Sequence, residues 1–199
     1  AIARRQLNAD GIALLDCHVA MLANQNLNFM TTGRAPQRAG NAHQNVVPYQ
    51  VFKTADGFMI VAVGNDSQYR AYCLAIGAPQ LAVDPKFTTN GLRIVNRGEL
   101  IPQLEKIMGT GLRDDWIATL EGAGVPCGPI QTIDQVFAHP QVIARDIWKN
   151  IPHPAGGSSP TTASPMGFSA TPVQYRHPAP MLGEHSKEIL REVLGRDLG

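Results

Sequence analysis

Two apolar runs joined by a five-residue connection constrain this chain most. Residues 46–52 (Val-Val-Pro-Tyr-Gln-Val-Phe) and 58–63 (Phe-Met-Ile-Val-Ala-Val) flank Lys53-Thr54-Ala55-Asp56-Gly57. Aromatic and β-branched residues favour extended backbone, and Asp-Gly in the connection is a strong hairpin signal. The second run is apolar throughout, which predicts a strand buried on both faces.

The approach to the first strand is polar and low in bulk: Arg38-Ala39-Gly40-Asn41-Ala42-His43-Gln44-Asn45. Gly40 and Ala42 let backbone come close to a ligand. Asn41, His43, Gln44 and Asn45 bring donors and acceptors to the same loop. These residues are the first candidates for substrate contact. The alternative is an approach loop with no ligand. A single loop histidine is more often a hydrogen-bonding group than a general base, and His43 is given no catalytic role.

Composition narrows the function classes. With 44% hydrophobic residues in 199, the chain can bury a core. Charged residues are 17% and the net charge is +1, with no basic stripe, so nucleic acid is not an expected partner. Cys17, Cys73 and Cys127 are far apart and lack a C-x-x-C pattern, which argues against a disulfide framework or a zinc site and fits a reducing, cytoplasmic setting. No apolar run reaches the roughly 18–20 residues of a membrane helix, and no signal peptide is legible. The chain starts on Ala1 rather than Met and reads from there as the middle of a helix, as a fragment would.

Along the chain, residues 12–32 read as one long helix with Leu14, Leu15, Val19, Leu22, Leu27 and Met30 on a broad apolar face, ending at Gly33. Asp16 and His18 lie on it without an assigned role. Asp66 reads as the N-cap of a helix ending near Gly77, with Tyr69, Tyr72, Cys73 and Ile76 as its apolar stripe. Residues 97–108 form another helix, with Leu100, Leu104 and Ile107 on one side. Residues 110–122 read as a third, in which Asp114 and Asp115 serve the helix dipole rather than acid–base chemistry. Gly122-Ala123-Gly124-Val125-Pro126-Cys127-Gly128-Pro129-Ile130 is a rigid turn entering an extended segment, and Cys127 has no neighbour in sequence to activate its thiol. Short helices are expected at 132–138 and 140–146. Residues 151–165 are rich in Pro, Gly, Ser and Thr and read as a linker or crossing segment. A short strand at 166–169, an extended 178–180 and a helix at 184–194, with Ile189, Leu190, Val193 and Leu194 turned to a partner surface, complete the reading.

Three segments, taken in order, resemble one family. The first is Gly40-Asn41-Ala42-His43 leading into Pro48-Tyr49, Phe52 and Asp56-Gly57. The second is Ala123-Gly124-Val125-Pro126-Cys127-Gly128-Pro129. The third is Phe168-Ser169, Thr171-Pro172 and Ala179-Pro180-Met181-Leu182-Gly183-Glu184-His185. In this order and spacing they resemble the family III CoA-transferases, a superfamily that also includes α-methylacyl-CoA racemases.

The resemblance implies an α/β fold: a Rossmann-type large domain and a small α+β domain, in a homodimer whose subunits interlock. Residues 1–39 and 151–199 would then belong to the large domain and 40–150 to the small one. It implies acyl-CoA and a small carboxylic acid as substrates, coenzyme A as the group carried, and no metal. The family's nucleophile is an aspartate. It is expected upstream of this chain, since Asp10 and Asp16 do not match its position, and the family's Thr-Gly-x-Gly-Gln turn is absent where Arg5 to Gly11 stand. What maps onto this chain is the substrate-side loop: Gly40, Asn41, Ala42, His43 and Gln44. His43 and Gln44 make it bulkier than the glycine-richer loop of formyl-CoA transferases, which argues against oxalate-like acids. A racemase working by proton abstraction, or a non-catalytic binding or assembly module, are the alternatives.

Overall fold

A computed structural model describes residues 13–195. The expected readings of residues 5–11, including Asp10, lie outside the described residues, as does the side chain of Leu194. The chain divides into two compact units between Ile130 and Gln131.

The first unit is built on the predicted hairpin. Strands β1 (Tyr49–Lys53) and β2 (Phe58–Ala62) pair antiparallel, with Phe52 opposite Met59 and Lys53 opposite Phe58. The connection closes by Thr54 N–H donating to the Gly57 carbonyl at 2.9 Å. A third strand, β3 (Cys127–Pro129), pairs antiparallel with β2, putting Val61 opposite Cys127. Its flanks continue the ladder: Ala62 N–H donates to the Pro126 carbonyl and Ile130 N–H to the Phe58 carbonyl. Prolines are tolerated here because β3 is an edge strand. The expectation that β2 is buried on both faces is corrected. Met59 and Val61 are fully buried, Ile60 and Ala62 only half, and Phe58 is exposed. One face meets the core and the other stays partly open, which an antiparallel sheet permits.

Helices cover the inner face. After α1 (Leu14–Met21) and α2 (Asn24–Thr32) come α3 (Asp66–Ala75), α4 (Pro79–Val83), α5 (Asn90–Val95), α6 (Arg97–Met108) and α7 (Arg113–Gly122). The core gathers Phe52, Met59 and Val61 with Tyr69, Tyr72, Cys73, Phe87, Leu100, Leu104, Met108 and Leu120. Each large apolar side chain buried this way contributes about 1.5–3 kcal/mol. The tyrosine stripe of α3 and the leucine face of α6 match the sequence periodicity. The N-cap of α3 is Asn65 rather than Asp66: the Asn65 carboxamide accepts from Gln68 N–H, which leaves Asp66 free to meet Arg93. Asp114 and Asp115 do sit in the first turn of α7.

The predicted long helix over 12–32 is two helices, α1 (Leu14–Met21) and α2 (Asn24–Thr32). The chain breaks at Ala23, whose φ is +47°. The cause is local. The Asn26 side chain competes for a backbone partner. The Asn26 carboxamide donates to the Val19 carbonyl, which a continuous helix would give to Ala23 N–H. Ala23 N–H turns to Ala20 instead. Gly33 caps α2 in the left-handed conformation, as expected. The apolar face is not buried: Leu14, Leu15, Leu27 and Met30 are all exposed.

In the second unit, α8 (Ile133–Ala138) starts with a capping box of Thr132 and Gln135, and α9 (Pro140–Ala144) is capped by His139. The expected linker over 151–165 is largely a hairpin. Strand β4 (Trp148–Pro152) pairs antiparallel with β5 (Ser158–Thr162), with Gly156 and Gly157 at positive φ in the turn. The Phe137 ring meets Trp148 edge-on at 5.4 Å. No strand forms at 166–169. Helix α10 (Ser186–Leu194) closes the described chain, with Ile189 and Val193 exposed.

Candidate functional site

Loop 39–45 enters β1 and is held from two directions. From within, Ala42 N–H donates to the Ala39 carbonyl and His43 N–H to the Tyr49 carbonyl. The Asn41 carboxamide oxygen accepts from Val51 N–H at 3.0 Å, which ties the loop to the strand it precedes. Gly40 has φ +59° with open space where a Cβ would project, so backbone conformation rather than crowding calls for glycine there. The His43 ring stacks on Tyr49, centroids 5.2 Å apart. Its Nδ1 accepts from Asn45 N–H, and its Nε2 lies 3.4 Å from the Asn24 carboxamide nitrogen.

From outside, α5 and α6 grip the loop's carbonyls. Arg97 Nη2 donates to the carbonyls of His43 at 2.5 Å and Gln44 at 3.1 Å. The Asn90 carboxamide donates to the Asn45 carbonyl and accepts from Val47 N–H. Arg93 Nε donates to the Val47 carbonyl at 2.6 Å. Arg93 is fully buried, its guanidinium completed by the Phe87 carbonyl and the Asp66 carboxylate and stacked 4.2 Å over the Tyr69 ring. From α2, Asn28 exchanges hydrogen bonds with Asn45 and reaches Gln44.

The structure therefore places Gly40, Asn41, Ala42, His43 and Gln44 together in one ordered loop. Among the described residues, the N–H groups of Gly40, Asn41 and Gln44 have no protein acceptor. Free backbone donors on this loop can hold a carboxylate or carbonyl oxygen, while the Arg97 guanidinium binds the opposite, carbonyl side of the His43–Gln44 peptide. Sequence reading missed Asn90, Arg93 and Arg97. Their signal was polar residues spaced three and four apart on helices whose other face is apolar.

Cys73 and Cys127 are poor nucleophiles here. Burial pushes the Cys73 thiol up to about 11. Burial, then Glu121, raises that of Cys127, whose Sγ faces the Ile117 carbonyl at 3.8 Å. Among the described residues no cluster of three or more His, Cys, Asp or Glu side chains is placed to hold a metal ion. No described helix is long and apolar enough to cross a membrane.

Comparison with known proteins decides the family. The sequence model described as CoA-transferase family III matches residues 11–186. This chain belongs to CoA-transferase family III. It is 41% identical over 182 residues to a succinate–glutarate CoA-transferase of Agrobacterium fabrum, covering 92% of this chain and 46% of that protein. It is 37% identical to a succinyl-CoA:glutarate CoA-transferase of Homo sapiens, covering 92% of this chain and 42% of that one. A crystal structure of a CaiB/BaiF family protein from Brucella suis superposes with a TM-score of 0.71 at 40% identity, over 90% of this chain and 46% of that one. The chain spans about half the length of the family III relatives it matches.

Proposed function

We propose that this chain is part of an acyl-CoA:carboxylate CoA-transferase that moves CoA between two dicarboxylic acids, with the loop Gly40–Gln44 on the side of the carboxylic acid. The observation that carries the reading is the likeness, over nearly the whole chain, to two proteins named for exchange between succinate and glutarate. The loop's free N–H groups supply donors suited to an anionic oxygen, and Arg97 holds the carbonyls of the loop that carries them.

The chemistry is a double displacement through an aspartate outside this chain. Its carboxylate attacks the thioester carbonyl of the donor acyl-CoA and expels CoA thiolate, leaving a mixed anhydride. The thiolate attacks the aspartyl carbonyl of that anhydride and releases the donor acid, giving an aspartyl-CoA thioester. The acceptor carboxylate repeats the two steps in reverse order. Covalent catalysis divides one difficult exchange into easier ones, and water must be kept from the anhydride. By the same family reading, residues 1–39 and 151–199 belong to a Rossmann-type large domain and 40–150 to a small one, in an interlocked homodimer of the cytoplasm.

Full-length protein mixed with succinyl-CoA and glutarate tests this by mass spectrometry of the CoA esters. Glutaryl-CoA is the expected product. Unchanged succinyl-CoA across a panel of dicarboxylic acids would contradict the transferase reading. Deuterium wash-in at the α-carbon of a 2-methylacyl-CoA would replace it with the racemase.

A further inference from the structure

The helix that grips the substrate loop carries one cation with a distinctive environment. Among the described residues, Lys86, Arg93, Arg113 and Lys149 each meet a carboxylate: Glu99, Asp66, Asp114 and Asp146 respectively. Arg97 meets carbonyl oxygens alone, those of His43 and Gln44. It is half-buried at the start of α6, so its charge is partly desolvated and not neutralised by a neighbouring acid. A guanidinium that donates to two successive carbonyls fixes the orientation of the peptide between them. That peptide carries the N–H of Gln44, one of the loop's free donors. Asn90 holds the next carbonyl, that of Asn45, at 2.7 Å, so the loop's exit is fixed from the same side.

We propose that Arg97 is a positioning and specificity residue for the carboxylic acid substrate: it sets the loop with its free N–H groups turned to the acid and adds a positive field that favours a dicarboxylate over a neutral acyl group. The inference rests on the function proposed above. It goes beyond it by naming a residue outside the loop and the property of the acid that the residue selects.

The test uses full-length protein with Arg97→Ala and Arg97→Lys. In Arg97→Ala, KM for the dicarboxylic acid rises about tenfold, equivalent to about 1.4 kcal/mol, while KM for the acyl-CoA is unchanged. Arg97→Lys recovers part of the loss because it keeps the charge. Without substrates, amide exchange in a peptide covering residues 40–45 becomes faster in Arg97→Ala, while β1, β2 and the body of α6 keep their protection. A parallel rise in both KM values with a lowered Tm would overturn the proposal in favour of a general structural role. Unchanged exchange in the loop would overturn the grip itself. Faster loop exchange with both KM values unchanged would overturn the assignment of the loop to the acid. Wild-type protein that transfers no CoA would overturn the proposed function and leave the exchange measurement to judge the grip alone.

Discussion

Arg93 shows how much one side chain can organise. It is fully buried, yet all three of its guanidinium nitrogens are satisfied, by two backbone carbonyls and the Asp66 carboxylate. Removing it strands the Val47 and Phe87 carbonyls in the interior. Arg93→Ala should cost about 2–6 kcal/mol, at about 1–3 kcal/mol for each stranded carbonyl, read as a lowered urea midpoint with an unchanged slope. Tyr72 is the opposite case: its hydroxyl is buried without a hydrogen-bond partner. Tyr72→Phe deletes only that hydroxyl and should be neutral or stabilising by about 1 kcal/mol, measured the same way. The stripe holding Tyr69, Tyr72 and Cys73 was legible from helical spacing. Arg93 was not, because an arginine at such a position is far more often solvated, and only the converging carbonyls mark this one as interior.

Among the elements, the hairpin turn and α7 depend on each other through Asp56. Its carboxylate accepts from Arg113 N–H at 2.8 Å, at the start of a helix whose own N-cap, Leu112, has no side-chain acceptor. The Arg113 N–H, and after it the Thr54 hydroxyl, hold the Asp56 carboxyl below the usual carboxylate range. The sign follows from linkage. A depressed folded value adds stability that is present above the unfolded pKa of about 3.9 and is lost as pH falls through the folded value. Asp56→Asn keeps an acceptor but cannot titrate, so its acid unfolding curve should be flatter than wild type below about pH 4. A curve of unchanged steepness would remove Asp56 from this role. Elements with strong periodicity were legible: the β1–β2 pair, α3, and α6 with its bounds. The break between α1 and α2 was not, because a side-chain bond to the Val19 carbonyl overrides the apolar pattern. The β4–β5 hairpin was hidden by composition, since Ser-Ser-Pro-Thr-Thr reads as a linker and forms a strand only through its ladder with residues 148–152.

For the whole molecule, burial is concentrated. Among the described residues, every buried side chain lies between Val47 and Val125, and α1, α2 and the unit from Gln131 onward contain none. Segments without a core open at low free-energy cost. Limited trypsin digestion of the 199-residue chain should therefore cut first at exposed sites such as Arg34, Arg145 and Arg176 and spare Arg93; early cleavage at Arg93 would contradict this distribution of stability. At this scale the family was legible from ordered motifs, each weak alone, that span 40–185. The residues that grip the loop were not, because they come from helices about fifty positions away. The most direct test of the loop as the acid's site is amide exchange of full-length protein with CoA alone and with CoA plus glutarate. The expected result is added protection at Gly40, Asn41 and Gln44 only when glutarate is present. Protection elsewhere, with these three amides unchanged, would contradict it.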